Sequence, residues 1–228
     1  MDFKVIVNSQ QNINNIKKVL QSLEKNSFGY TNLVEKIYST LAGFGLSPNI
    51  SSGVDFDKLS TILESPDVRN KLKLAKNDLD RYLLSDGKDQ VIAKLSDIYG
   101  NLPDWEINVY VNIISISSYS TENKSIMVFY NQPVEKQLKT IIHETNHLIF
   151  HDRYKEKITL ILGEKAFSDI KESFTVLTNP EEVGYPNHLK LREYISNQHS
   201  KGKSIDDVLN ILTVEKYSEL AKIDNKKG

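Results

Sequence analysis

The sequence of 228 residues contains no cysteine. A disulfide framework is therefore excluded, and so is a metal site built on thiolate ligands. A zinc ion bound to this chain can take only histidine, aspartate or glutamate as ligands. Histidine itself is scarce, with five residues, and three of them fall between Ile141 and His151.

An excess of charge and long apolar runs are also missing. The 29 basic residues nearly cancel the 30 acidic ones, whereas a nucleic-acid partner favours a strongly basic chain or a basic stripe. No apolar run approaches the roughly 18 residues of a membrane span, and the start MDFKVIVNSQQ lacks the pattern of an export signal. We therefore expect a cytoplasmic protein without nucleic-acid or membrane partners, or a secreted one if a signal was trimmed from the chain.

The pattern of apolar residues predicts a mostly helical α+β fold. A short strand at 3–7 is followed by helical patterns to about residue 102. After Pro103 the chain alternates and is rich in Val and Ile, which predicts strands at 106–116 and 125–130 that could form a hairpin. We expect one unit over 1–228, with a helical N-terminal region at 1–102, a metal-site core at 103–180 and a helical C-terminal region at 181–228.

A helix is expected from about residue 133 to about 152, with Pro133 at its start. A second helix should follow from roughly 165 to 178. At about 100° per residue, the first helix has an apolar stripe opposite His143 and His147. We expect a small antiparallel sheet to pack on this stripe, which consists of Val134, Leu138, Ile141, Ile142, Leu148 and Ile149.

The segment His143-Glu144-x-x-His147 has the spacing H-E-x-x-H. Histidines at positions i and i+4 of a helix project together and can bind one tetrahedral metal from the same side. Glu144 lies beside them, where this arrangement uses a glutamate as the base that deprotonates a metal-bound water. The alternative is a polar helix that contains the pattern by chance.

His151 is not expected to be a ligand, although it follows closely. It lies eight residues after His143, which is about 12 Å along a continuous helix. A zinc ion bonded at about 2 Å cannot reach both residues. We expect His151 to be a residue of the helix end, close to the C-terminal dipole.

A third ligand must come from the acidic residues farther along the chain. Glu172 lies twenty-five residues after His147, which leaves room for a turn and a returning helix across the histidine face. The alternative is a surface glutamate paired with Lys171 or Lys165. The downstream acidic candidates are Asp152 and Glu156, which are too close to fold back, Glu164, Asp169 and Glu172, and Glu181 and Glu182 in a loop.

These residues resemble the gluzincin metallopeptidases, the group of thermolysin and the aminopeptidase-N-type enzymes. The segment Lys171-Glu172-Ser173-Phe174-Thr175 is similar to the N-E-G-F-A-like segment of the latter, with Lys in place of Asn and Ser in place of Gly. The resemblance implies a zincin-like fold in which His143, His147 and Glu172 bind Zn²⁺ and Glu144 is the general base. HETNHLIFH also resembles the zinc-peptidase domain of phage-type antirepressor proteases.

The function that this resemblance implies is zinc-dependent hydrolysis of peptide bonds in a peptide or protein substrate. No G-A-M-E-N-like segment is present, which favours an endopeptidase over an aminopeptidase. The alternative is a zinc-binding regulatory or partner-binding module with restrained or vestigial peptidase activity. Four residues are candidate donors to the oxyanion: Tyr185, His188, Tyr194 and His199.

Overall fold

The computed structural model describes residues 1–25, 30–46, 53–181 and 186–221. The strands are β1 (Asp2–Ile6), β2 (Glu106–Asn112), β3 (Ser118–Ser120) and β4 (Ser125–Phe129). The helices are α1 (Ser9–Lys25), α2 (Tyr30–Ala42), α3 (Phe56–Glu64), α4 (Pro66–Tyr82), α5 (Lys88–Tyr99), α6 (Val134–Leu162), α7 (Glu164–Phe174), α8 (Leu189–Ser200), α9 (Ile205–Ile211) and α10 (Val214–Leu220), with a π-helical segment at Leu83–Gly87. The predicted α+β class with mainly helical content is confirmed.

The chain divides into two compact units. The sheet unit consists of Asp2–Lys88 and Trp105–Ile141, and the helical unit consists of Met1, Asp89–Asp104 and Ile142–Gly228. The three predicted metal ligands and the predicted base, Glu144, all belong to the helical unit. In the described ranges, no helix combines the length and apolarity that a membrane span needs.

The sheet is mixed, with strand order β1-β2-β4-β3. β1 pairs with β2 in parallel, and β2 pairs with β4 in parallel. Only β3 and β4 are antiparallel, joined through a turn in which Lys124 has a φ of 44°. The predicted antiparallel hairpin of 106–116 with 125–130 is therefore wrong.

The reason lies in the segment between β2 and β4, in which no separate strand was predicted. Part of it forms β3, which is antiparallel to β4, so the chain reverses direction twice between β2 and β4 and these two strands are parallel. Four of the five residues of β4 are buried, as is typical of an interior strand covered on both faces. Alternation of apolar residues predicts strands but does not determine their partners or directions.

In the sheet unit, Asn12 links α1 to the end of β2. Its amide donates to the carbonyl of Val111 at 3.1 Å, and its Oδ1 accepts from the backbone N–H of Ile113 at 2.9 Å. Gln137, on the first turns of α6, donates in the same way to the carbonyl of Phe129 at 2.9 Å. These bonds satisfy backbone groups where β2 and β4 end.

α6 is longer than predicted, because it continues without interruption to Leu162 instead of ending near residue 152. Gly163 ends it with φ 88° and ψ 166°, a conformation available almost only to glycine. α7 begins at the next residue and ends at Phe174, followed by a 3₁₀ turn at Thr175–Leu177 rather than by more α-helix. A single glycine therefore reverses the chain between the two helices of the predicted metal site.

Aromatic side chains hold α7 against α6 in the helical unit. The ring of Phe150 lies 4.9 Å from the ring of Phe174 and 6.2 Å from that of Phe167, measured between centroids. α5 contacts the same helix through Tyr99, whose hydroxyl donates to Oδ1 of Asn146 at 2.7 Å. α6 is therefore held by helices on more than one side.

Candidate metal centre

The two histidines of the H-E-x-x-H segment lie one turn apart on α6. Their rings meet edge to face, with centroids 4.5 Å apart and an angle of 86° between the planes. His143 is half-buried, and His147 is 2% exposed. Both imidazoles therefore project to the same side of the helix, as the spacing of four residues predicts.

The burial of this stretch differs from the prediction. Every residue from Glu144 to Phe150 is buried, so α6 does not have a core face opposite an open histidine face. The expected division is wrong because α5 and α7 also pack against α6, at Asn146 and at His147. When neighbouring helices cover a helix on several sides, polar residues opposite its apolar stripe are buried as well.

Glu172 reaches this pair from α7. Its Oε2 lies 3.4 Å from Nε2 of His147. One donor atom from each of His143, His147 and Glu172 can be chosen such that all three lie within 4.8 Å of one another. In the part of the chain that the structure describes, these three side chains are the group of histidine and acidic residues close enough to share a metal ion.

His151 is not part of this group. It belongs to the same unbroken helix as His143, and its ring contacts Phe167 edge to face with centroids 5.4 Å apart. The expectation that it lies at the end of the helix is wrong, because α6 continues to Leu162.

A lysine next to Glu172 is also drawn into the cluster. Nζ of Lys171 donates to Oε1 of Glu172 at 2.5 Å, and Lys171 is 7% exposed. Glu172 therefore makes both the ion pair with Lys171, which was the alternative prediction, and the contact with His147. Lys165, the other possible partner, pairs instead with Asp169 at 2.6 Å.

The contacts of Glu172 and His147 set their protonation. Burial would raise the pKa of Glu172, but the hydrogen bond with His147 and the charge of Lys171 outweigh it and hold the pKa well below the usual range. Burial lowers the pKa of His147, against the opposing effect of the Glu172 carboxylate. A neutral imidazole beside an ionised carboxylate is the protonation state that a metal requires of these ligands.

A second polar cluster lies around Asp169, one turn before Glu172 on α7. Oδ2 of Asp169 accepts from Lys165 at 2.6 Å and from the hydroxyl of Tyr217 at 2.6 Å, and Oδ1 lies 3.2 Å from Nε2 of His188. Burial would raise the pKa of Asp169, but these bonds hold it far below its usual range. The cluster connects α7 to the turn before α8 and to α10.

The candidate oxyanion donors have other contacts. His188 is buried against Asp169, and the ring of Tyr194 has Nζ of Lys216 5.6 Å from its centroid. Nδ1 of His199 lies 3.3 Å from the carbonyl oxygen of Lys203. Tyr185 lies outside the described residues, as does Glu182, and Glu181 is exposed. The donor role stays a prediction for each of these four candidates.

The sequence predicted Lys171 only as a surface partner of Glu172, although a signal for its burial was present. Lys171 follows Phe167 by four residues and precedes Phe174 by three, so it lies on the buried face of α7. A charged residue at such a position needs an ionic partner. Tyr99 had no comparable signal, because its bond to Asn146 joins residues 47 positions apart.

The chain was also compared with known proteins. No protein family model, curated protein or solved structure matches it. The geometry of the cluster is therefore the basis for any function assigned to it.

Proposed function

We propose that this protein is a zinc metallopeptidase of the gluzincin type, with a zincin-like arrangement of its helical unit. The observation that carries the proposal is the position of Glu172. Its carboxylate reaches the histidine pair from a different helix, which a chance H-E-x-x-H segment does not require. The proposed substrate is a peptide or protein, and endopeptidase activity is favoured over aminopeptidase activity.

The donor set fits zinc. Two imidazoles and one carboxylate are ligands that zinc uses in hydrolytic sites, where a fourth position stays open for water or substrate. His143, His147 and Glu172 would hold the ion. When bound, it would lower the pKa of a water molecule and polarise a peptide carbonyl.

Glu144 has the role of general base in this proposal. It follows His143 directly and its negative charge acts on His147, whose pKa it tends to raise. Its carboxylate takes one proton from the water as the water oxygen bonds to the peptide carbon. The same proton passes to the nitrogen of the leaving amine when the carbon–nitrogen bond breaks.

Replacement of Glu144 by glutamine tests the proposal. Glu144→Gln should keep zinc at one ion per chain and lower hydrolysis of casein by about 10²- to 10⁴-fold, since the ligands stay and the base is lost. Zinc content and casein cleavage are measured on the same preparations. Glu156→Gln is the matched control, because Glu156 is an exposed glutamate on the same helix and should change neither quantity. Full casein cleavage by Glu144→Gln would contradict the assigned role.

The second candidate is a zinc-binding regulatory or partner-binding module with restrained peptidase activity. Burial favours it, because Glu144 is 4% exposed and His147 is 2% exposed. Binding of one zinc per chain without cleavage of casein or of an unstructured peptide library would favour this candidate over the peptidase. Cleavage by wild type that Glu144→Gln abolishes would exclude it.

A further inference from the structure

Lys171 places a buried cation in contact with the proposed metal ligands. Its Nζ lies 2.5 Å from one oxygen of Glu172, while the other oxygen of the same carboxylate lies 3.4 Å from His147. Its charge also acts on His147, where it opposes protonation of the imidazole. The ammonium group is therefore beside the ligand cluster, on the far oxygen of the ligand carboxylate.

This position is unfavourable for a site that only stores metal. The ligand set has a single negative charge, from Glu172, and a divalent ion already exceeds it. A second cation on the same carboxylate would repel a bound metal ion and compete with it for Glu172. Because burial of the ammonium also costs free energy, its placement points to a use in which negative charge develops at the site.

We propose that Lys171 is a catalytic residue that donates from Nζ to the carbonyl oxygen of the peptide bond under attack. This inference rests on the proposed peptidase function and extends it. An ammonium group has three N–H donors, so one group can serve a carboxylate and a carbonyl oxygen at the same time. His188, Tyr194 and His199 contact residues outside the proposed metal cluster, whereas Lys171 contacts Glu172 within it.

Lys171 would stabilise the oxyanion without transferring a proton. As the water oxygen bonds to the carbonyl carbon, the π-electron pair of the carbonyl moves onto its oxygen, and the Lys171 ammonium stabilises that charge without giving up a proton. When the carbon–nitrogen bond breaks, the pair returns to form the carbonyl of the new carboxyl group. The leaving nitrogen takes its proton from Glu144, so Lys171 begins and ends the cycle protonated.

Steady-state kinetics of Lys171→Met provide the first test. Loss of one donor to a developing oxyanion should lower kcat by about 10²- to 10³-fold, with a much smaller change in KM. Lys165→Met is the matched control, because Lys165 is also ion-paired on α7 but with Asp169. It should have the kinetics of wild type. Lys171→Gln keeps an N–H donor but loses the charge, so its kcat should lie between those of wild type and Lys171→Met.

Zinc affinity is the second readout and does not depend on activity. Competition with a chromophoric chelator should give a dissociation constant for zinc that is lower in Lys171→Met than in wild type, on the order of tenfold, because a repelling charge is removed. Lys165→Met should bind zinc as wild type does. If Lys171 only held the ligands in place, Lys171→Met would bind zinc more weakly. Tighter zinc binding together with slower hydrolysis would therefore show that Lys171 acts on the reaction and not on ligand position.

The outcomes distinguish this inference from the proposed function. If wild type binds zinc and cleaves no peptide, the proposed function is wrong and the inference falls with it. If wild type cleaves and Lys171→Met or Lys171→Gln keeps full kcat, only the inference is wrong. Loss of zinc by Lys171→Met, or failure of both variants to fold, would make Lys171 a structural partner of Glu172 and would also overturn the inference.

Discussion

At the scale of the residue, the two oxygens of Glu172 have separate partners. Oε1 accepts from Lys171, and Oε2 faces His147. The contact with His147 turns one oxygen towards the histidine pair, while Lys171 occupies the other oxygen. Among the described acidic residues that the sequence offered as a third ligand, Glu172 is the one grouped with both histidines.

Removal of this carboxylate should weaken metal binding strongly. Glu172→Ala leaves two histidines to hold zinc, and we expect its affinity to fall by at least roughly 100-fold, more than the loss of an outer partner usually costs. His151→Ala should bind zinc as wild type does, because its ring contacts Phe167 outside the cluster. Chelator-competition titrations of both variants measure this difference. Loss of zinc by His151→Ala, with zinc retained by Glu172→Ala, would show that the ligand assignment is wrong.

At the scale of the element, α7 is anchored on both sides of the metal cluster. Asp169 ties it to His188 and to Tyr217 of α10. Three residues after Glu172, the hydroxyl of Thr175 accepts a bond of 2.7 Å from the buried guanidinium of Arg192 on α8. The position of Glu172 therefore depends on contacts made by the C-terminal helices and not only on the turn at Gly163.

The Asp169 cluster should make stability depend on pH. The pKa of the Asp169 carboxyl group is held below its ordinary value of 3.8. The stabilising effect of the ionised carboxylate is therefore fully present above pH 3.8 and is lost as the pH falls below that value. Asp169→Asn should lower the free energy of unfolding by about 1–3 kcal/mol at pH 7. The difference from wild type should shrink between about pH 5 and pH 2.

Urea unfolding of zinc-free protein at several pH values measures this effect. Lys165→Met is the control, because the side chain of Lys165 is 80% exposed and an exposed ion pair adds little stability. A difference between wild type and Asp169→Asn that stays constant from pH 7 to pH 3 would indicate that the charge of Asp169 is not what stabilises the fold.

At the scale of the whole molecule, the division into two units assigns the metal cluster to one of them. The proposed ligands, the proposed base and Lys171 all belong to the helical unit, whereas the four described strands belong to the sheet unit. Binding of zinc to the native state alone stabilises that state by mass action, by about 2.7 kcal/mol when free zinc is 100 times its dissociation constant.

Zinc should therefore protect the helical unit most in hydrogen exchange. We expect slower exchange in α7 and in the part of α6 after Ile141, with a smaller change in the four strands, because the ligands connect these two helices directly. His147→Gln should lose the zinc-dependent protection while keeping the protection pattern of the zinc-free protein. Equal protection of strands and helices by zinc would contradict a local effect of the cluster.

Features that depend on neighbours along the chain could be predicted from the sequence. A helix over residues 143–147 brings two histidines spaced by four residues to the same side, because the helical period is 3.6 residues. The same reasoning excluded His151 from the pair of His143. The α+β class and the helical C-terminal region also followed from local periodicity, which each segment carries in its own residues.

Strand direction, the burial of His147 and the position of Lys171 depend on contacts between residues that are distant in the sequence, so they follow from the tertiary packing. β2 and β4 are parallel because the chain reverses direction twice between them, through β3, and no local pattern encodes that arrangement. His147 is buried because α7 returns across it, and Lys171 meets Glu172 at the cluster because the packing of Phe167 and Phe174 turns that face of α7 inward. Side chains far apart in sequence come together only when the helices pack, so their distances and protonation follow from the fold.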